Sequence, residues 1–438
     1  MNDNSILKIF AKFVSFNILS MIGLSCYILA DTYFVANGVG KTGLAALNIA
    51  IPVFSGILAV GAMFGIGTGT CYSIMKARGK DYEANSIFTN SIIFGLIISI
   101  ASVICGILIP DKTAMLMGAD SETLELTSQY IQIIMIFAPL FIINNILTSM
   151  LRNDGAPKAS AFIMITGSLS NVVLDYIFIY PLGYGMRGAA AATVASPLIS
   201  IILSVIFIIS GKINFHFVKC RLEFNILKKI VSFGISAFIT EMASAITILI
   251  FNKLILIYSG NTGIAAYGII ANLALVVTAI FNGISQGIQP LASSGYGLKD
   301  SKRLSKILKY SIILTTAIFL IIYPLSYILT DKLVDAFNNE KNAELAKLAS
   351  DGLRLYFIGF IFAGINIVSV SFLNSINHTK KAFAISIMRG FAVIVPTALI
   401  LSKIAQMNGI WLTFPTAELI TFIFSVISLM KKDLYKFD

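Results

Sequence analysis

The chain has 438 residues, of which 57% are hydrophobic and only 12% are charged, and its mean hydropathy is +0.88. A soluble domain has about 25% charged residues, and a disordered chain combines low hydrophobicity with high charge, so both classes are excluded. Because one membrane span needs about 20 apolar residues, the composition predicts an all-α integral membrane protein. The net charge of +11 would also suit a nucleic-acid partner, but its distribution favours a membrane surface instead.

Apolar runs between polar breaks predict twelve transmembrane helices. Their approximate limits are 13–35, 44–72, 86–109, 127–150, 159–182, 189–211, 229–257, 264–291, 307–329, 353–375, 383–404 and 410–430. The first run is as long as a full span, contains Asp31 and has no small-residue cleavage site. We therefore expect it to stay in the protein as a span, since a cleavable signal peptide has a shorter apolar region and such a site.

The basic residues alternate between the two sides of the membrane. Of the 32 Lys and Arg residues, 23 fall on the side that holds the N-terminus, and this count includes Arg389 within the eleventh run. Eight fall on the opposite side: Lys41, Lys112, Arg187, Lys332, Lys341, Lys347, Arg354 and Lys403. Because Lys and Arg are enriched in cytoplasmic loops, both termini are predicted to be cytoplasmic in a multi-pass protein of the cell membrane.

Two stretches of the chain resemble two later ones at an offset of about 220 residues. Gly40–Ala46 (GKTGLAA) lies over Gly260–Ala266 (GNTGIAA), and the region Asn144–Lys158 lies over Asn366–Lys380. Each copy contains six predicted spans, and an even number means that both copies enter the membrane from the same side. This repeat predicts two pseudo-symmetric six-helix lobes with the main cavity between them.

The lobes are predicted to comprise residues 1–211, with a cation site, and residues 229–438. The linker over residues 212–228 mixes basic side chains with Phe215, Phe217, Leu222 and Phe224. That pattern is typical of a segment lying partly along the inner membrane surface. An ordinary solvated loop is the alternative.

Five charged residues fall inside or at the ends of the predicted spans, where each costs about 2.5–3.5 kcal/mol on insertion scales. They are Asp31, Asp175, Glu241, Lys253 and Glu418. Lys253, near the outer end of its span, is expected to reach the headgroups by snorkelling. Glu418, which follows Pro415, is equally compatible with a structural and a functional role.

Asp31 and Asp175 are predicted to share one depth in the outer half of the N-terminal lobe. Counting 1.5 Å per residue places them about 27 Å and about 24 Å above the inner ends of their spans. Asn171 precedes Asp175 by four residues and projects from the same helix face. Two carboxylates and a carboxamide in a dry pocket lose their charge only by binding protons or a cation, which is the chemistry of ion coupling. The alternative is that they only hold helices together by hydrogen bonds.

Glu241 is predicted near the middle of span seven, beside Thr240 and Ser244. It could be a second protonation site or an anchor for a cationic substrate, or a neutral acid that packs between helices. The four cysteines (Cys26, Cys71, Cys105 and Cys220) and the two histidines (His216 and His378) are widely spaced. These residues indicate no disulfide framework and no histidine-bound metal.

Local motifs resemble one transporter family. They are Ala30–Val35 (ADTYFV) with Gly43–Leu47 (GLAAL), Asn171–Ile179 (NVVLDYIFI) with Gly188–Thr193 (GAAAAT), and Phe233–Ile235 (FGI) leading to Glu241. Over essentially its whole length the chain is similar to multidrug and toxic compound extrusion (MATE) transporters. The resemblance implies an antiporter that exports amphipathic organic cations in exchange for Na⁺ or H⁺.

The resemblance also implies the roles of six residues. Asp31, Asn171, Asp175 and Thr193 would form the cation-coupling site, and Asp31, Asn171 and Asp175 would hold Na⁺ if that is the ion. Glu241 and Tyr130 would contribute to substrate binding or protonation. The chain departs from the family pattern where Phe16 and Ser236 replace prolines, and where Asn366 stands near an acid used for Na⁺ in another branch.

Three other functions agree less well with the sequence. A lipid-linked oligosaccharide flippase usually needs a cationic cavity, and a prenyl transferase needs an Asp-rich Mg²⁺ motif that no span carries. A channel is disfavoured because a two-lobe repeat is typical of alternating access. We expect a monomer that is not an enzyme, needs no cofactor besides its coupling ion, and meets small organic cations and the bilayer but no nucleic acid.

Overall fold

The computed structural model describes residues 3–338, 341–430 and 434, and every regular element in those ranges is helical. The helices of the first half are α1 (Asp3–Gly38), α2 (Lys41–Ala77), α3 (Asp81–Leu108), α4 (Pro110–Leu116), α5 (Leu124–Ile136), α6 (Ala138–Asn153), α7 (Pro157–Ile179) and α8 (Gly185–Ile209). Those of the second half are α9 (Phe224–Gly297), α10 (Ser301–Ile328), α11 (Thr330–Asp335), α12 (Ala343–Tyr356), α13 (Phe360–Ser375), α14 (Thr379–Ile387) and α15 (Ile394–Leu429). A 3₁₀ turn (Phe357–Gly359) joins α12 to α13, and a π-helical turn (Met388–Ala392) follows α14.

These helices form the predicted twelve spans. In the described part, nine helical stretches are long and apolar enough to cross a membrane, and α5 with α6, bent by 49°, makes a tenth. Two of these stretches, of 74 residues at α9 and 51 residues at α14 and α15, are each long enough to cross twice. Non-helical backbone angles interrupt both, at Gly260 in α9 and at Ala405 and Gln406 in α15. The all-α, two-lobe prediction with six spans in each half is confirmed.

The two halves repeat the same backbone turns at the same offset. Gly40 and Gly260, matched in the sequence repeat, both have positive φ, at 88° and 59°. Gly155 (φ 92°) lies over Asn377 (φ 65°), and Gly79 (φ 74°) lies over Lys299 (φ 56°). Left-handed backbone is uncommon outside glycine, so three matched pairs show that the repeat extends to the geometry of the loops.

Two prolines lie where a span deviates from regular α-helix. Pro139 lies in the first turn of α6, directly after the bend at Phe137. Pro396 follows the π-helical turn by a few residues. Because proline cannot donate a backbone hydrogen bond and clashes with the preceding turn, the chain adjusts just before each one.

The lobes touch on the side of the membrane where α1 begins, called the inner side here. Gly67 of α2 lies against the backbone of Ile230, and Gly234 of α9 against the backbone of Met63, so closely that neither position has room for a Cβ atom. Gly283 and Gly287, further along α9, approach the backbone of α1 in the same way. None of the close approaches at glycines in the described ranges joins the lobes in their outer halves. The lobes therefore meet at their inner ends.

Buried amide side chains reinforce this inner contact. Gln289 of α9 donates to the Thr70 hydroxyl at 2.8 Å and to Asn153 Oδ1 at 3.1 Å. Asn153 of α6 donates back to Gln289 Oε1 at 3.0 Å and accepts from the Ser73 hydroxyl at 2.7 Å. Three helices from the two lobes are thus joined by one hydrogen-bonded cluster, defined here as the inner latch (Thr70, Ser73, Asn153 and Gln289).

The segment between the lobes is shorter than predicted. Helix α8 ends at Ile209 and α9 begins at Phe224, so residues 224–228 of the predicted linker are helical. Residues 212–223 are non-helical and lie along the first turns of α3.

Candidate functional site

The outer parts of α1 and α7 bring two carboxylates together. Asp175 is fully buried, Asp31 is half-buried, and the two side chains interact electrostatically. They do not point to opposite faces of the lobe, as they would if each faced lipid or bulk water. A pair of like charges at this depth is unfavourable unless a cation or proton is shared between them.

Asn171 lies one turn before Asp175 on α7 and is equally buried. The carboxyl groups of Asp31 and Asp175 contact each other. Within the described residues, no N–H donor and no hydroxyl donor hydrogen-bonds to either oxygen of Asp175 or to Asp31 Oδ1, and neither amide atom of Asn171 has a hydrogen-bond partner. Buried polar groups are nearly always hydrogen-bonded, so a cluster of such atoms needs an explanation. The oxygens among them suit a hard cation such as Na⁺, or protons, as partners.

Two further helices bring Tyr130 and Thr193 to the same place. Both residues are buried, and they lie beside each other on α5 and α8. Tyr130 interacts electrostatically with Asp31 and Asp175. The Thr193 hydroxyl donates to the Ala189 carbonyl at 3.0 Å, which leaves its oxygen able to accept. Four helices of the N-terminal lobe thus contribute polar side chains to one cluster.

Glu241 lies on the opposite lobe, half-buried on α9. Its link to the N-terminal cluster is Tyr27 of α1, whose hydroxyl interacts electrostatically with Asp31, Asp175 and Glu241. Tyr27 is not among the residues predicted from the sequence. Its position four residues before Asp31, on the same helix face, was the signal that could have identified it.

Arg389 corrects the count of cytoplasmic basic residues. It lies in the π-helical turn inside span eleven and forms an ion pair with Glu418 of α15. Arg389 Nε donates to both carboxylate oxygens at 2.9 and 3.1 Å, and Arg389 Nη2 donates to Oε1 at 2.8 Å. Glu418 is therefore the acid of a bidentate buried pair, and Arg389 cannot be counted as a loop residue.

Asn366 of α13 completes this second polar cluster. Its amide donates to Glu418 Oε2 at 2.7 Å, and its own oxygen accepts from the Ser425 hydroxyl at 2.8 Å. Every oxygen of the Glu418 carboxylate thus has protein donors. The C-terminal lobe neutralises its buried acid with its own guanidinium, whereas the N-terminal lobe leaves Asp31 and Asp175 without a cationic partner among the described residues.

Lys253, predicted to reach the headgroups, is exposed near the outer end of the first half of α9. Its position is compatible with snorkelling, and it lies away from both polar clusters.

Comparison with known proteins identifies several similar chains. A Multidrug export protein MepA of Staphylococcus saprophyticus is 27% identical over 94% of this chain and 92% of its own length. One from Staphylococcus aureus (strain NCTC 8325 / PS 47) is 26% identical over 94% of this chain and 91% of its own. Both comparisons extend over nearly the full length of each protein.

Solved structures show the same fold. The outward-facing conformation of a multidrug resistance MATE family transporter of the MOP superfamily superposes with a TM-score of 0.90 at 22% identity, over 96% of this chain and 95% of that one. A mutant of the Vibrio cholerae MATE transporter VcmN superposes with a TM-score of 0.90 at 18% identity, over 99% of both chains.

The family model MatE matches residues 17–177 and 230–400. One matched segment lies in each lobe, and the unmatched stretch between them contains α8 and the linker. Together they cover more than half of the sequence, and the chain therefore belongs to the MatE family.

Proposed function

We propose that this protein exports amphipathic organic cations across the cell membrane in exchange for Na⁺ or H⁺, by alternating access of its two lobes. The Staphylococcus relatives are named multidrug export proteins, which supports the export of small molecules. The chain would lie in the membrane with both termini in the cytoplasm, act as a monomer and perform no chemical conversion.

The buried carboxylate pair is the observation that carries the proposal. Asp175 has two buried oxygens without an N–H or hydroxyl donor among the described residues and faces a second carboxylate, Asp31. Moving an unpaired carboxylate out of water costs several kcal/mol, so this arrangement is stable only when a positive guest or a proton occupies it. Asn171 and Asp31 add two more oxygens to the same place, which is a donor set suited to Na⁺ or to a shared proton.

Exchange follows if the small cation and the organic cation compete for one negative charge. A ligand shifts an equilibrium only by its differential affinity for the two states. Entry of Na⁺ or H⁺ at Asp31 and Asp175 from the outer side would remove the charge that retains the organic cation, which would then leave to that side. Tyr27 and Glu241 would extend this competition to the C-terminal lobe, because Tyr27 interacts with all three acids.

The test is ethidium transport by energised inverted vesicles, in which efflux by the protein appears as accumulation in the vesicle lumen, with Na⁺ and pH gradients imposed separately. We expect Asp175→Asn to abolish efflux under either gradient, because the amide cannot carry the charge for which the two cations compete. The gradient that drives the wild-type protein identifies the coupling ion.

Asp335→Asn is the matched control, since it removes the same charge from an exposed position in α11. It should leave efflux unchanged, and amounts of folded protein should be equal in all variants. Efflux at the wild-type rate in Asp175→Asn would overturn the proposal. Transport of a lipid-linked oligosaccharide in place of ethidium would instead favour the flippase alternative.

A further inference from the structure

The linker segment (residues 212–223) is fastened to the N-terminal lobe rather than lying free between the lobes. Its backbone N–H groups at His216, Val218 and Glu223 donate to side-chain oxygens of α3 at 3.0–3.1 Å. The Tyr82 hydroxyl, also on α3, donates to the carbonyl of Lys219 at 2.9 Å.

Aromatic packing fixes one end of the same segment. Phe215 is buried between Tyr72 and Phe88, with ring centroids 6.3 and 4.9 Å apart. A solvated loop would not bury a phenylalanine, and its backbone N–H groups would donate to water instead of to side chains of a single helix. The linker segment therefore packs against the N-terminal lobe, on its inner side.

A surface pocket of about 560 Å³ lies where the linker segment passes the beginning of α3. Its lining comprises Tyr82, Ser86, Lys219, Cys220, Arg221 and Glu223. The acids of the first turn of α3 already have partners, since Asp81 pairs with Lys76 at 2.9 Å and Glu83 with Lys80 at 2.8 Å. Lys219 and Arg221 form no ion pair among the described residues, so the pocket carries two cations against one acid.

The depth of this pocket matches the lipid headgroups. Helix α3 ends on the outer side at Leu108, and a hydrocarbon core of about 30 Å takes up about 20 residues. The inner edge of the core therefore falls near Phe88. Ser86 and Tyr82 lie about 3 Å and about 9 Å beyond that edge, where the headgroup layer begins.

Exposed apolar side chains flank the pocket-lining residues of the linker segment along the chain. Phe217, Leu222 and Phe224 are 65%, 52% and 67% exposed. Phe224 lies against Phe94 of α3, with ring centroids 6.4 Å apart. Because Phe94 lies on the hydrocarbon side of Phe88, Phe224 reaches the edge of the hydrocarbon core. Large apolar side chains beside unpaired cations are typical of segments that bind the surface of an anionic membrane.

We propose that this pocket binds the phosphate headgroup of an anionic phospholipid of the inner-side leaflet, through Lys219 and Arg221, while Phe217, Leu222 and Phe224 contact its acyl chains. The two cations recognise the phosphate, and the Ser86 hydroxyl is placed to donate to it. Bound lipid would hold the linker segment against α3 at the point from which the C-terminal lobe begins. This inference stands independently of which ions or drugs the protein transports.

The experiment uses the full chain reconstituted in lipid nanodiscs of phosphatidylcholine with increasing fractions of phosphatidylglycerol. Phe217→Trp supplies a fluorescent reporter, and the natural Trp411 is fully buried in the other lobe. We expect brominated phosphatidylglycerol to quench the reporter more strongly than the same fraction of brominated phosphatidylcholine. Adding Lys219→Gln and Arg221→Gln should abolish that preference.

Lys299→Gln with Lys302→Gln is the matched control, because it removes two exposed charges at the turn between α9 and α10, also on the inner side. It should leave the preference intact. A preference that survives Lys219→Gln with Arg221→Gln would overturn the proposal, as would a reporter that neither lipid quenches. Loss of the preference on adding inorganic phosphate would show a site for free anions and would overturn the assignment to lipid.

Discussion

Glu418 and Asp175 are both buried acids within the spans, yet the protein surrounds them differently. Glu418 accepts from Arg389 and Asn366 at distances of 2.7 to 3.1 Å, whereas both oxygens of Asp175 lack an N–H or hydroxyl donor among the described residues. The charge of a buried carboxylate that is paired with a guanidinium of the same lobe is already neutralised, so this carboxylate does not need to bind and release a cation. The lobe with the unpaired acids is therefore the one in which exchange is expected.

This difference predicts the stability of variants at the second cluster. Arg389→Met leaves Glu418 buried without its cation, and breaking one partner of a buried pair costs about 3–5 kcal/mol. We expect the midpoint of thermal unfolding in detergent to fall markedly for this variant.

The double variant Arg389→Met with Glu418→Met should recover most of the loss, because replacing both partners by apolar side chains is often nearly neutral. Drug efflux by the double variant should remain sensitive to the same gradient as the wild type. A double variant as unstable as Arg389→Met would show that the pair is not the source of the effect.

At the scale of the residue, sequence reasoning identified the acids but not their partners. Asp31, Asp175 and Glu241 were found because a carboxylate is conspicuous in an apolar run. Arg389 was counted with the cytoplasmic residues although it lies within the eleventh predicted run, because its partner lies 29 residues further along the chain, a distance that no helical spacing indicates. Tyr27 was overlooked because a tyrosine is common near the end of a span.

At the scale of the helix, length and apolar content predicted the twelve spans well. The bend at Phe137 and the π-helical turn (Met388–Ala392) depend on how neighbouring helices accommodate a proline, and the sequence shows only the proline. Gly65 and Gly67 of α2 both lie at close helix approaches. Gly67 faces the other lobe, whereas Gly65 faces α6 of its own, and the sequence does not distinguish the two.

The close contact of α2 with α9 predicts that one added methyl group in α9 moves the inner ends of the two lobes apart. In Gly234→Ala the new Cβ atom would collide with the Met63 backbone, which can be relieved only by moving the lobes apart on the inner side. We expect faster maleimide labelling of Cys71, which is buried on α2 and interacts with Lys229 at the beginning of α9.

The labelling requires a background in which Cys26, Cys105 and Cys220 are replaced by serine. Gly268→Ala is the control on the same helix, since no atom of a neighbouring element lies within 4 Å of the place that its methyl group would take. It should leave the labelling rate unchanged. Equal labelling rates of Cys71 in Gly234→Ala and in the background without this substitution would contradict the conclusion that backbone contact between α2 and α9 holds the inner ends of the lobes together.

At the scale of the whole molecule, the contact between lobes was beyond sequence reasoning. The repeat predicted two lobes and a cavity, but a repeat has the same sequence whichever end of the lobes is closed. The glycine approaches and the inner latch show the inner ends in contact. Under the proposed alternating access, these contacts would break during each cycle.

The inner latch therefore predicts a shift of the conformational equilibrium. Gln289→Leu removes three hydrogen bonds between the lobes, each worth about 0.5–1.5 kcal/mol net. Losing half of this stabilisation in the closed-inside state, about 0.8–2.3 kcal/mol, would shift the equilibrium toward opening of the inner side by about fourfold to fortyfold, since about 1.4 kcal/mol corresponds to a factor of ten.

Spin labels at Lys80 and Lys302, on the inner ends of the two lobes, would report the shift as a longer distance distribution in Gln289→Leu. Gln129→Leu removes an amide from α5, which is not part of the inner latch. This control should keep the wild-type distance distribution. Because coupling between sites is reciprocal, Gln289→Leu should also bind the coupling ion more weakly from the outer side. A longer distance with unchanged ion affinity would mean that the cation site and the inner latch are energetically independent.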